Sequence, residues 1–449
     1  MDTLHKLVRT FFVVSSLAFG STAPGQGQAA STLTLVQAVA AAEKHHPQLD
    51  EAQANRELAR SSLDSARSAR YPTLSVAEDI VDSNDPVFAF GSKLRQARFS
   101  SADLAIDSLN HPAAISNFSA SASANWTAFD AGAARHRVAS AAASLRASSL
   151  NEQYAAQSID VAVTALYYRV LLAQDQITVA DHAAARALEI SGDLQDRVRS
   201  GLALESDGAR AALALQQAND DIATAKANAA MARRDLFDAM GEADNAQSLS
   251  RPETQAPVSP ASDLSERLDL QALRQQQQAA RQDALAAHAV MWPRVSTFAH
   301  VESDTQSVAT NGSGNWTVGA KIELPLFDGG VRKSHEEQAT AHLHALEAQE
   351  RSALLDARKN IGSLQVQLDD LQRHLTTAEA AIGVQQEALS TERDRYAGGL
   401  APVSDVLNAE ADLSSAEFQR IRTFYQLDIV RAELALAEGS LNTQKAGKP

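Results

Sequence analysis

Apolar residues recur along most of the chain at alternating spacings of three and four, with Gln, Glu, Arg and Ser between them. This periodicity predicts amphipathic α-helices that pack as a coiled coil, because each helix then carries one continuous apolar stripe. At about 1.5 Å per residue, the two longest helices would each extend roughly 100 Å, which is more than an ordinary globular domain spans. The predicted helices cover about 34–70, 133–198, 204–240, 263–291, 331–397 and 403–438.

Four short segments change to a periodicity of two residues, which predicts β-strands. The clearest segment is 316–324, in which apolar residues alternate with Thr317, Gly319, Lys321 and Glu323. Each strand would have one apolar and one polar face, and about ten residues is the length that a tilted membrane-spanning strand needs. The other three predicted strands are 73–81, 118–127 and 294–302.

Two motifs each occur twice at the same offset of 198 residues. Phe-Asp-Ala-Gly at 129–132 recurs as Phe-Asp-Gly-Gly at 327–330, and Ser-Gly-Leu at 200–202 recurs as Gly-Gly-Leu at 398–400. A constant offset predicts an internal structural duplication. Each repeat would contain a helix, a β-hairpin, a long helix, a turn and a shorter helix. The repeats are 31–240 and 263–440, and the proline-rich stretch 241–262 links them.

The two predicted hairpins differ in their connections. The first is longer and holds 85–99 with its three phenylalanines, whereas the second is the Gly-, Asn- and Ser-rich stretch 305–314. Both are expected to be exposed loops.

The first residues have the features of a secretory signal peptide. Lys6 and Arg9 precede an apolar run at 11–19, and small residues follow up to about residue 30. No later stretch has the roughly 20 apolar residues of a membrane helix. A membrane-spanning mode would therefore have to use the strands, and both a soluble protein and a barrel remain possible at this stage. Residues 441–449 are predicted to be a disordered tail.

Composition narrows the possible chemistry. The chain has no cysteine, which excludes disulfides, thiol catalysis and a lipid on an N-terminal cysteine. Its net charge of −15 disfavours nucleic acid as a partner and favours cations. No phosphate-binding glycine loop, Gly-x-Ser-x-Gly elbow or His-Glu-x-x-His motif is present, so neither an enzyme nor a cofactor is expected.

The histidines are interpreted as structural residues. His342 and His344 project from different sides of a predicted helix, so we interpret the group around them as a solvated helix face and expect no metal site. The pair at 45–46 precedes Pro47 and is interpreted as a helix-end feature.

Asp207 and Asp405 occupy equivalent positions just after the two Gly-Leu turns. In an oligomer closed about an axis, they would form a ring of carboxylates. Alternatively, each is simply an acidic residue in the first turn of a helix, where the helix dipole favours negative charge. The two interpretations are compatible.

Three segments together resemble the TolC-like outer-membrane efflux family. Residues 33–49 resemble the family's opening segment, 324–330 its strand-to-helix junction and 396–409 its periplasmic turn. The resemblance implies an α+β membrane protein, in which a long antiparallel α-helical coiled-coil barrel continues a transmembrane β-barrel. Each chain of a homotrimer would contribute four strands to the twelve of that barrel.

The implied function is passive transport across the outer membrane of a Gram-negative-type cell. The resemblance implies that an inner-membrane pump delivers solutes through a periplasmic adaptor protein, and that lipid surrounds the strands. Two alternatives remain open. One is a periplasmic coiled-coil scaffold that forms no channel. The other is the same channel serving metal cations or secreted polypeptides.

The resemblance also implies a gate at the periplasmic turn. Tyr396, Asp405 and Asp207 match gate positions of the family, but Ala401 replaces a frequent arginine and Asn408 replaces a frequent second aspartate. We therefore predict a weak cation constriction and a gate held more by packing than by ion pairs.

The same turns match the segments that meet the adaptor in this family. Gly201 and Gly399 would permit the sharp backbone turn, and Leu202 and Leu400 would supply apolar contacts.

Overall fold

The computed structural model describes residues 32–252, 264–307 and 312–441. The predicted signal peptide at 1–30 lies outside the described residues, and so does nearly all of the predicted tail at 441–449. Most of the proline-rich half of the predicted linker, from 253 to 262, also lies outside them.

The described residues form nine α-helices and four β-strands. The helices are α1 (Leu35–His45), α2 (Pro47–Ser68), α3 (Pro86–Arg95), α4 (Ile106–Asn110), α5 (Ala133–Arg199), α6 (Glu205–Met240), α7 (Leu268–Ala289), α8 (Val331–Ala397) and α9 (Val403–Glu438). The strands are β1 (Thr73–Ser83), β2 (Ile115–Phe129), β3 (Arg294–Thr305) and β4 (Ser313–Glu323). The four helices that flank the Gly-Leu turns are confirmed to within two residues.

The long helices form one bundle. Helix α5 packs against α2, α6, α7 and α9, and α8 packs against α7 and α9. Helices α5 and α8 each have 67 residues, and α6 and α9 each have 36. Among the described helices, none is both long enough and apolar enough to cross a bilayer.

The strands form one antiparallel sheet in the order β1-β2-β3-β4. Cross-strand partners such as Val76–Ala122, Ala122–Val301 and Val301–Trp316 put apolar residues on one face. The opposite face is mostly polar, and the predicted alternation is confirmed. The polar face includes Asp79, Ser119, Ser121, Ser123, His300, Glu302 and Asp304.

The repeated Phe-Asp motifs cap the two long helices. The Asp130 carboxylate accepts hydrogen bonds from the backbone N–H groups of Gly132 at 3.1 Å and Ala134 at 2.6 Å. Asp328 accepts in the same way from Gly330 at 3.1 Å. Gly132 and Gly330 have φ values of 89° and 91°, which a side chain would strain. The motif recurs because both strand-to-helix turns must satisfy the same free N–H groups.

The largest apolar cluster surrounds the middle of α5. Tyr167 is fully buried there, and its hydroxyl lies 2.8 Å from the carbonyl oxygen of Leu33 and 2.6 Å from that of Ser250. Leu33 and Leu249 also form an isolated parallel bridge. The segment before α1 and the segment after α6 are therefore both held at the centre of α5.

The prediction of one helix over 34–70 is wrong at a single point. The chain breaks between α1 and α2 because Pro47 has no N–H to donate and restricts the residue before it. His46 lies at this break, and its Nδ1 accepts a hydrogen bond from the N–H of Gln48 at 3.3 Å. The interpretation of His46 as a helix-end residue is confirmed.

The prediction of an exposed loop over 85–99 is also wrong. Residues 86–95 form α3, which packs on β2 and β3 and buries Ala89 and Ser92. The helix begins because Asp85 accepts a hydrogen bond from the N–H of Phe88 at 2.8 Å and Pro86 occupies the first helical position.

Replacing Asp130 with alanine should destabilise the junction between β2 and α5. Loss of a helix N-cap typically lowers the free energy of unfolding by about 0.5–2 kcal/mol. Denaturant titration of the detergent-solubilised protein measures this quantity. The Asp130→Asn variant keeps one acceptor oxygen, so its free energy of unfolding should fall less than that of Asp130→Ala. Equal stability of Asp130→Asn and Asp130→Ala would contradict the capping role.

Candidate functional site

The far end of the helical bundle, away from the sheet, consists of two similar turns, 200–204 and 398–402, which we call the turn end. Gly201 and Gly399 have φ values of 72° and 70°. In each turn the N–H of the following leucine donates to the carbonyl five residues earlier at 2.8 Å, which satisfies the end of the long helix. Leu202 is 78% exposed and Leu400 76% exposed. Both turns therefore present a leucine to solvent.

An apolar cluster from four helices supports the turn end. Leu194 of α5 and Leu389 of α8 are buried, together with Val403 and Val406 of α9. The α6 contribution is Ala211, and Tyr396 packs against the edge of the cluster. The two helical hairpins are thus joined by packing directly above their turns.

Tyr396 also contacts a cation that the sequence analysis did not identify. The Arg197 guanidinium carbon lies 5.0 Å from the centre of the Tyr396 ring, within the range of a cation–π interaction. Arg197 Nε also pairs with Asp193 at 3.1 Å. Burial raises the pKa of Tyr396, as do the charges of Asp193 and Asp207, while Arg197 opposes the increase. Tyr396, Asp207 and Arg197 are therefore close enough to interact.

Asp207 and Asp405 lie in the first turns of α6 and α9, as the helix-dipole interpretation expects. Asp405 is half-buried, and the Ser404 hydroxyl lies 3.4 Å from its Oδ1. Asn408 is exposed one turn further along α9. It borders a groove of about 720 Å³ between α5, α6 and α9.

A mostly buried ion-pair network joins α5 to α9 further from the turns. Arg186 Nε donates to Glu410 at 2.5 Å, and Nη2 donates to Glu417 at 3.1 Å and to Ser414 at 3.2 Å. The Glu410 side chain is only 10% exposed. Burial raises the pKa of Glu410, and the adjacent Arg186 opposes that increase.

Neither arginine was identified from sequence. Asp193 and Arg197 have the four-residue spacing of a helical ion pair, which is the only local signal for Arg197. Arg186 and Glu410 are 224 residues apart, and no periodicity indicates their contact. Among the described residues, no group of three or more histidine and acidic side chains is arranged to bind a metal ion.

A four-stranded sheet on a bundle of long helices with paired glycine turns is the fold of known outer-membrane channels. The VceC outer membrane protein of Vibrio cholerae matches with a TM-score of 0.78, covers 90% of this chain and 96% of its own, and is 22% identical. Residues 38–242 and 260–440 match the model of the outer membrane efflux protein family, so the chain belongs to that family.

Two curated relatives agree with this assignment. The probable outer membrane lipoprotein SilC of Salmonella typhimurium is 26% identical over 253 residues, which is 52% of this chain and 54% of SilC. The pyoverdine export outer membrane protein OpmQ of Pseudomonas aeruginosa is 24% identical over 333 residues, or 72% of this chain and 69% of OpmQ. The chain thus spans about half the length of SilC.

The resemblance to TolC-like efflux proteins is confirmed. The protein is an outer-membrane protein of a Gram-negative-type cell, and its long helices extend into the periplasm. The family is one of channels, not of enzymes.

Replacing Arg186 with methionine should strongly destabilise the contact between α5 and α9. It leaves Glu410 buried without its cation, and breaking a buried ion pair in this way typically costs about 3–5 kcal/mol. The loss should shrink as the pH falls through the raised pKa of Glu410, because the neutral carboxyl no longer needs a cation. Denaturant titrations at several pH values measure both effects.

Two further variants test this explanation. Arg186→Met combined with Glu410→Met should recover part of the lost stability, because the more buried carboxylate is gone and only Glu417 remains without its cation. Arg420→Met is the matched control, since Arg420 lies 3.9 Å from Glu379 with both side chains largely exposed. It should change the unfolding free energy by less than about 1 kcal/mol. Equal losses for Arg186→Met and Arg420→Met would refute a special role for the buried network.

Proposed function

We propose that this protein is a homotrimeric channel of a tripartite efflux system. It passively conducts solutes that an inner-membrane pump delivers through a periplasmic adaptor protein. The observation that carries the proposal is the exposed apolar face of the sheet.

The sheet exposes large apolar side chains over its full length. Leu74 is 80% exposed, Val76 85%, Trp316 77% and Ile322 74%. A contiguous exposed apolar surface indicates a membrane or a protein partner, and alternation with a polar opposite face is the pattern of a transmembrane barrel. A periplasmic scaffold with a small soluble sheet would leave this surface in water.

Aromatic residues border the sheet where it meets the helices. Tyr71, Trp126, Phe129, Trp292 and Phe327 are all exposed there. The Trp126 indole N–H donates to the carbonyl oxygen of Arg70 at 3.0 Å, which fixes that ring. Such a belt is typical of the boundary between lipid and water, because an aromatic ring can contact both.

The edges of the sheet support a ring of copies. Within the described residues, β1 pairs with β2 alone and β4 with β3 alone, so each outer strand has one unpaired edge of 11 residues. Long free edges promote uncontrolled association unless they are covered or the sheet closes. Pairing of β4 with β1 of the next copy would close the sheet, and three copies would give twelve strands.

The equal helix lengths support the internal duplication. With 67 residues in α5 and α8 and 36 in α6 and α9, both Gly-Leu turns reach the same level of the bundle. A trimer of such chains would present six similar turns around its axis. We infer that the repeats 31–240 and 263–440 arose from one helix-hairpin-helix unit.

The gate is proposed at the turn end. The apolar cluster of Leu194, Leu389 and Val406 and the stacking of Arg197 on Tyr396 hold the two hairpins of one chain together. Asp207 and Asp405 would line the narrowest level and favour cations. Opening would require α8 and α9 to move relative to α5 and α6, and therefore to disrupt these contacts.

The adaptor surface is proposed at the same turns. Leu202 and Leu400 are exposed at the apex, where each follows a glycine that allows the backbone to turn sharply. Two apolar residues in repeated positions would let one kind of adaptor hairpin bind at six sites around the trimer.

The proposal predicts that the detergent-extracted protein has the mass of three chains and forms ion channels in planar bilayers. Light scattering corrected for bound detergent measures the mass, and single-channel recording measures conductance. Since each carboxylate within about 10 Å of a cation contributes about 0.4 kcal/mol in water, three copies of Asp405 favour cations by roughly 1 kcal/mol. Asp405→Asn should therefore reduce the cation preference several-fold.

Asp235→Asn is the matched control, because it makes the same change of charge on an exposed part of α6 distant from the turns. It should leave the selectivity unchanged. A monomer that is soluble without detergent and forms no channels would overturn the proposed function and favour the scaffold. Channels that respond equally to both substitutions would instead remove Asp405 from the gate.

Replacing both Leu202 and Leu400 with serine should abolish pump-dependent export while leaving the channel intact. Each leucine is largely exposed, so its replacement should cost the folded chain little stability. A bound adaptor, in contrast, would lose two apolar contacts per chain. Cross-linking of a co-expressed adaptor in cells measures binding, and bilayer conductance measures channel integrity. Leu204→Ser is the control, because Leu204 is 69% exposed and lies in the same turn but does not follow a glycine. Normal adaptor cross-linking by the double variant would contradict the proposed contact.

A further inference from the structure

Helix α3 is fixed to the polar face of the sheet by its last turn. The side-chain amide of Gln96 donates to Asn117 Oδ1 at 2.7 Å and also lies 3.0 Å and 3.2 Å from the carbonyl oxygens of Ser116 and Thr305. Gln96 is therefore held by two strands. The contacted residues of β2 lie 20 and 21 residues further along the chain, and that of β3 lies 209 residues further along. Its amide is buried, and a buried amide with several partners fixes its position strongly.

The contact continues into the sheet. Asn117 Nδ2 donates to the fully buried Asp304 at 2.7 Å. Next to this chain of hydrogen bonds, Arg95 pairs with Glu302 at 3.5 Å. Ala89 and Ser92 on the same side of α3 are buried. The underside of α3 thus contacts the polar face of β2 and β3 through buried side chains, hydrogen bonds and one ion pair.

The polar face is the inner face of the proposed barrel, because the opposite face carries the exposed apolar residues. The contacted residues lie near the ends of β2 and β3 that are distant from the helical bundle. We infer that α3 forms a cap inside the outer mouth of the barrel and gives the channel a second constriction. This inference rests on the proposed trimeric channel.

Dimensions support a narrow opening. Twelve strands about 4.8 Å apart and tilted by roughly 40° have a circumference of about 75 Å, and thus a diameter of about 24 Å between backbones. A helix with its side chains is about 10–12 Å across. Three copies of α3 on the inner wall would therefore fill most of the mouth.

The upper side of α3 is apolar. Val87 is 81% exposed, Phe90 37% and Leu94 50%, and they follow the spacing of one helix face. This face points away from the sheet of its own chain, toward the axis of the proposed barrel. Its occupant in this inference is the same face of the other two copies, because the calculated diameter brings three helices into contact there. The cap would then close by apolar packing.

Thiol labelling on intact cells tests the cap independently of the gate at the turn end. The chain has no cysteine, so every thiol is introduced. Ser123 lies on the polar face of β2, six residues from Asn117, which is about 20 Å along the tilted strand and about 15 Å deeper in the barrel. In Ser123→Cys, a small membrane-impermeant maleimide should react, whereas a polymer-linked maleimide should not. Replacing 86–112 with a short Gly-Ser linker should restore reaction with the large reagent.

Asp107→Cys serves as the surface control, because Asp107 lies exposed in α4. Both reagents should label it on intact cells. If neither reagent labels Asp107→Cys, the proposed outer-membrane channel is wrong, and not only the cap. If it is labelled and Ser123→Cys reacts with the large reagent while the loop is complete, the barrel is open and the cap is refuted.

Should the shortened variant fail to fold, paired cysteines locate α3 directly. Arg95→Cys with Glu302→Cys should form a cross-link with a bifunctional thiol reagent, and this pair leaves the Gln96 hydrogen bonds in place. Arg95→Cys with Val301→Cys should not, because Val301 is the neighbouring residue of β3 and faces the opposite side of the sheet. Equal cross-linking of both pairs, or none of either, would show that α3 is not held on the inner face and would overturn the inference.

Discussion

The close packing of helices on α5 is the interaction on which the rest of the structure depends. Helices α2, α6, α7 and α9 all contact α5, and the buried residues of α5 extend from Ala133 to Leu194. Many of them are alanines, and small side chains at a contact allow helix axes to approach closely. Because one helix of 67 residues runs from the sheet to the turns, its length sets the distance between the two ends of the molecule. The matching length of α8 keeps the second turn at the same level.

The two ends of the bundle use different physical interactions. The turn end relies on an apolar cluster, with Arg197 on the Tyr396 ring at its edge. The sheet end has its apolar residues on the outside and a hydrogen-bonded polar network under α3. If the turn end is the gate, as proposed, its mainly apolar contacts would allow the two hairpins to separate without breaking a buried ion pair. A buried polar network has only one good arrangement, so it suits a part that must stay in place.

Charge has a limited role in the middle of the bundle. Arg186 brings α5 to α9 through Glu410 and Glu417, yet burial raises the pKa of Glu410 in spite of the ion pair. Burial therefore disfavours the charged form of Glu410 more than Arg186 favours it, while the two carboxylates raise the pKa of Arg186 in spite of its own burial. Such a pair adds little net stability, but it strongly penalises any other alignment of the two helices. We expect its main contribution to be to the register of α9 along α5.

The sequence by itself determined the helices next to the Gly-Leu turns, the four strands and the two faces of the sheet. These features follow from periodicity, since residues three, four or two positions apart share a face within one element. Asp207 and Asp405 were identified from the internal repeat. The family resemblance came from the same local motifs, and it added Tyr396 and the expected gate role of all three residues. Local chemistry was also sufficient, in retrospect, for the break at Pro47 and the start of α3 at Asp85. Only the tertiary structure put Arg197 on Tyr396, Arg186 beside Glu410 and α3 on the polar face. Each of these contacts joins residues of different elements, and periodicity within an element carries no information about which neighbour its side chains will meet.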